Sequence, residues 1–132
     1  MKKINFNYIG QPEKFIKDKN DFYKSGIKEA SKIRSIISTL QRLFITQNRD
    51  ILLYIVGDST YKIEIYGSGI NKSLISVLYY IPKEQRLDLY DGINLKYPLF
   101  VWSGKQCLIK NIGPTLETLK IENQFLPIVA YL

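Results

Sequence analysis

From Ile51 onward the chain is a succession of short apolar runs separated by turn residues about every ten positions. ILLYIVG (51–57) is a compact apolar run closed by glycine, and Asp58-Ser59-Thr60 reads as a turn. TYKIEIYG (60–67) alternates strictly, which sends Ile63 and Ile65 to one side of a strand and Lys62 and Glu64 to the other. SLISVLYYIP (73–82) is apolar on both faces and stops at Pro82. QRLDLYDG (85–92) again alternates, Leu87 and Leu89 against Arg86 and Asp88, before the turn at Asp91-Gly92. LKYPLFVW (95–102) and QCLIKNIG (106–113) follow, the second ended by Gly113-Pro114, and TLETLKIE and FLPIVAYL close the chain. Short strands at this spacing predict a mostly-β, antiparallel sandwich or barrel, and nothing reads as a βαβ unit.

The region before Ile51 is less plain. Ala30, Ile33, Ile37 and Leu40 recur at helical spacing. The same segment, IRSIISTL, is rich in β-branched residues and Ser/Thr, which lose χ1 freedom in a helix or compete for its backbone bonds. Periodicity leaves helix and strand both open there. Residues 1–30 carry Gly10, Pro12, Gly26 and many charges. They read as a basic extension in which PEKFIKDKNDFYK forms a short helix, with residues 31–132 as the domain proper.

Charge changes this picture in one respect. The net charge is +7. Residues 1–49 hold eleven Lys/Arg against four Asp/Glu, while residues 50–132 hold eight of each. All the basic excess therefore lies in the first third, as in an arm that meets RNA or an acidic partner, or in a solvated lysine-rich face. The N-terminal MKKINFNYIGQPEKF contains no apolar run long enough for a signal peptide or membrane helix.

Candidate chemistry is sparse. The chain contains no histidine, which removes Ser-His-Asp and Cys-His nucleophilic sites and most zinc sites. A single cysteine, Cys107, allows no intrachain disulfide, fits a reducing compartment and reads as a buried structural thiol. Gly67-Ser68-Gly69 lacks the rest of a phosphate-cradling loop and reads as a turn in which glycine supplies positive φ. Glu64, Asp88 and Asp91 read as solvent-facing strand positions, and Phe100 and Trp102 as core aromatics on one face. Lys96 opens an otherwise apolar strand, where a lysine ordinarily snorkels to water.

Three segments in order, IEIYGSGI (63–70), LKYPLFVWSG (95–104) and FLPIVAYL (125–132), resemble the N-terminal β-sandwich domain of the Clp family. Members are pre-mRNA 3′-end cleavage factor subunits related to polynucleotide 5′-hydroxyl kinases. The resemblance covers about residues 40–132. It implies strands at about 31–37 and 41–46, favouring the β reading of that segment. It also implies a first domain of a longer nuclear protein, packed on a downstream P-loop domain that holds the phosphates of ATP. In that family the sandwich covers the base, through a lysine at the start of the tryptophan strand and an acidic residue before the first long strand. These positions carry over to Lys96 and to the neighbourhood of Leu40 and Arg42, where no carboxylate stands. With no P-loop of its own, the chain would do no kinase chemistry, and the implied partners are the kinase-like domain and other subunits of the 3′-end processing factor. The rival reading is a stand-alone basic RNA-binding module. A small ribonuclease or toxin ranks last, because no acid/base constellation stands out.

Overall fold

The computed structural model describes residues 2–5, 29–43, 50–56, 60–67, 73–111 and 116–132. Among these residues, seven strands form one antiparallel sheet in sequence order. They are β1 (Lys2–Asn5), β2 (Asp50–Val56), β3 (Thr60–Tyr66), β4 (Leu74–Ile81), β5 (Arg86–Asp91), β6 (Phe100–Ser103) and β7 (Gln106–Lys110). Two helices, α1 (Ala30–Leu43) and α2 (Leu116–Val129), contribute to the same buried core as one face of the sheet. The mostly-β class is as the pattern predicts. The second layer is helical, where the sandwich reading expects a second sheet. β1 pairs with β2, so the domain reaches into the segment read as an extension; the short helix expected in PEKFIKDKNDFYK lies outside the described residues.

Residues 30–43 are helical, which corrects the strands expected at 31–37 and in the first part of 41–46. The apolar spacing decides it: Ile33, Ile36, Ile37 and Leu40 fall on one face and are all buried. The hydroxyls that argue against a helix are absorbed by the helix itself. Ser35 Oγ donates to the Ser31 carbonyl at 3.2 Å, and Thr39 Oγ1 to the Ser35 carbonyl at 2.9 Å. TLETLKIE and FLPIVAYL likewise run mainly as helix, with Pro127 in the last turn of α2. That helix buries Ile121, Phe125, Ile128 and Val129 at spacings of four, three and one residues, a single stripe facing the sheet.

The sheet register sorts the alternating residues. Leu53, Ile63, Leu78, Leu89 and Phe100 lie opposite one another across five strands, facing the helices. Tyr61, Tyr80, Leu87 and Trp102 form the next row on that face. Phe100 stacks on Trp102 (5.0 Å, 3°), and Trp102 meets Phe125 of α2 at 5.4 Å. The core role predicted for both strand aromatics therefore holds. β6 begins only at Phe100; Leu95–Leu99 belong to the loop before it, because Asn94 and Pro98 break the run.

Two smaller expectations are also corrected. Cys107 is exposed: it lies on the edge strand β7, whose five residues are all exposed. Gly67 needs no positive φ; among the described glycines only Gly104, in the β6–β7 turn, adopts it (+56°).

Candidate functional site

Helix α1 carries Lys32, Arg34 and Arg42 and no carboxylate. Because its apolar residues all turn to the sheet, these cations and the intervening hydroxyls are left toward the end of α2. There they line a groove of about 360 Å³. Ser35, Ser38 and Thr39 lie along its α1 side, and Pro127, Ile128 and Tyr131 form the other wall. No carboxylate lines it among the described residues. Arg42 Nη2 donates to Thr39 Oγ1 at 3.2 Å, and Thr39 in turn donates to the Ser35 carbonyl, so the guanidinium is held against the groove wall. Lys32 Nζ reaches the backbone oxygen of Leu132 at 3.4 Å. Tyr131 at the rim is 78% exposed. A cationic, hydroxyl-lined groove with an aromatic ring at its lip can hold a phosphate group and stack a planar ring beside it.

The opposite face of the sheet is of another kind. Tyr54, Lys62, Tyr79, Asp88 and Val101 form one row, and Leu52, Glu64, Val77 and Tyr90 the next. No helix covers these rows among the described residues. Glu64 and Asp88 are nonetheless buried, at 8% exposure each, which corrects the solvent-facing reading. Lys62 Nζ stands 3.6 Å from Glu64 and lies over the rings of Tyr54 (5.5 Å) and Tyr79 (5.9 Å). Arg86 Nε donates to Asp88 at 2.8 Å, and that bond holds the guanidinium above its usual range. Burial, and then the bond to Glu64, push the Tyr54 hydroxyl up to about 12. Among the described residues of these rows each cation has its own carboxylate, so the charges balance.

The residues singled out from the sequence do not converge. Leu40 is fully buried in the core and offers no polar atom to a ligand. Arg42 lines the helix-side groove. Lys96 sits in the exposed β5–β6 loop, its ammonium 5.5 Å from the centre of the Tyr97 ring, and does not line that groove. Sequence reading missed Lys32, the hydroxyls and Tyr131. The signal was present in α1, where three cations and no carboxylate share the face left by Ile33, Ile36, Ile37 and Leu40, but it is visible only once the segment is read as a helix.

Among the described residues no group of three or more metal-ligating side chains is present, and no helix is long and apolar enough to cross a membrane. Comparison with protein-family models, curated proteins and solved structures returned no match.

Proposed function

We propose that this chain is a binding domain for single-stranded RNA, which it holds in the groove between α1 and α2. The observation that carries this reading is the convergence of Lys32, Arg42 and the exposed Tyr131 on one groove that no described carboxylate lines. Backbone phosphates would meet the cations and the Ser35 and Ser38 hydroxyls, and a base would stack on Tyr131. The chain's +7 charge supports the same partner, because long-range attraction raises the rate of encounter with a polyanion. The ATP-covering role implied by the Clp resemblance needs Lys96 and the Leu40 region around one base. Leu40 lies in the core and Lys96 in a separate loop, so the geometry favours RNA in the groove.

Fluorescence anisotropy with a short labelled oligouridylate tests the proposal. Tyr131→Ala should weaken binding by about 1–3 kcal/mol, roughly 5- to 150-fold. A duplex of the same length should bind more weakly, since its bases are not free to stack. Absence of binding at low salt, or binding that survives removal of both Lys32 and Arg42, would overturn it.

A further inference from the structure

The face of the sheet that no described helix covers holds a second, smaller cavity, which the RNA reading does not use. It encloses about 180 Å³. At ~30 Å³ of liquid volume per molecule, that is room for about six waters. Val77 and Glu64, on neighbouring strands, are the most deeply buried of its lining residues. Tyr79 and Tyr90 also line it, edge to face, with ring centroids 5.8 Å apart and planes at 80°. Leu95 of the β5–β6 loop contributes to the wall, and Lys62 completes the lining.

Two features of this cavity point to a class of ligand. The first is the spacing of its ion pair. Lys62 Nζ and Glu64 Oε2 stand 3.6 Å apart, near enough to neutralise one another but beyond hydrogen-bond length. Both therefore keep capacity for a third group. The carboxylate offers about four acceptor positions, and the Tyr54 and Tyr66 hydroxyls bond to it. A hydroxyl seated between the pair would accept from Lys62 and donate to Glu64. The second is charge balance. An incoming cation would meet Lys62 and an incoming anion Glu64, and the adjoining Arg86–Asp88 pair is equally matched. The tyrosine rings add apolar surface for C–H groups.

We infer that this cavity binds a neutral, hydroxyl-rich ring the size of one pyranose. Its hydroxyls bridge Lys62 and Glu64, and its C–H face lies on the Tyr79 ring, with the Tyr90 ring standing at its edge.

Saturation-transfer NMR on the full chain tests this with the methyl glycosides of glucose, galactose and mannose, with N-acetylglucosamine and xylose, and with glucuronate as a charge control. At least one neutral sugar should bind with a millimolar Kd, and glucuronate should bind more weakly than its neutral counterpart. Glu64→Gln and Tyr79→Leu should each weaken binding by about tenfold, the loss expected when a charged hydrogen bond or a stacking surface is removed. Lys62→Met keeps the aliphatic stem but removes the donor, and should do the same if Tyr79→Leu fails to fold. Trp102 fluorescence monitors folding independently, because that ring lies on the helix-covered face. The inference falls if no neutral sugar binds, if glucuronate binds as well as glucose, or if binding survives in the folded variants.

Discussion

The two faces of this sheet are built from the same strands, one residue out of phase. On the helix-covered face, Leu53, Ile63, Leu78, Leu89 and Phe100 run across five strands with at most 1% exposure. On the other, Tyr54, Lys62, Tyr79, Asp88 and Val101 occupy the adjacent row. Since side chains alternate strictly along a strand, a one-residue slip would exchange the two sets, which fixes the register firmly. The difference separates two tasks. The first face is apolar throughout; the second buries Val77 and Val101 but also Glu64 and Asp88, each with a cation beside it.

The largest test of that contrast is truncation on each side. Trp102→Ala or Phe125→Ala should cost about 3–5 kcal/mol, by leaving a cavity between sheet and helix. Tyr79→Ala on the open face should cost about 1 kcal/mol or less, the scale of a cross-strand pair. Urea denaturation measures both, and equal costs would break the distinction between the faces. A backbone counterpart ranks next. A Cβ at Gly92 would strike the Leu74 carbonyl, while one at Gly104 would meet no atom within 4 Å. Gly92→Ala should therefore destabilise by about 2–3 kcal/mol, because backbone on both sides must shift. Gly104→Ala should cost about 1 kcal/mol, for positive φ alone. Comparable melting temperatures for the two variants would contradict this.

The smallest effect is one of pH and touches both faces. Burial pushes Tyr80, on the core face, up to about 12, and Tyr54, on the open face, reaches about the same value with Glu64 contributing. Both stand above the unfolded value of 10, so the folded state holds these protons where the unfolded chain has begun to release them. Their contribution is complete below pH 10 and is lost as pH rises toward 12. Tyrosinate absorbance during alkaline titration should show Tyr54 and Tyr80 among the late-ionising groups, Tyr54→Phe removing one of them without unfolding the chain. Simple titration of all tyrosines near 10 would refute that assignment.

How much of this was legible in the sequence differs by region. β2 to β5 could be read closely, because period-two alternation and turn residues coincide in segments such as TYKIEIYG and QRLDLYDG. Helix α1 was obscured by its own composition: Ser35 and Thr39 argue against a helix until their bonds to carbonyls four residues back are known. The resemblance around IEIYGSGI and LKYPLFVWSG then pulled the same residues toward strands. Helix α2 was hidden by Pro127, which lies in its last turn and removes the N–H that would donate to the Asn123 carbonyl, so the sequence reads as a helix stop there. The groove could not be seen at all, because Lys32 and Tyr131 are about a hundred residues apart and meet only through the packing of α1 against α2.

Salt dependence tests the central claim most directly. Single-strand binding falls with log salt at about 0.7 per neutralised phosphate. Removing Lys32 and Arg42 together should therefore lower the slope by about 1.4, at unchanged folding. Removing Lys62 and Arg86 from the open face should leave the slope where it was, because each already neutralises a carboxylate. Those two results would place RNA in the groove between the helices. A slope unchanged by the first pair, or reduced as much by the second, would contradict the account.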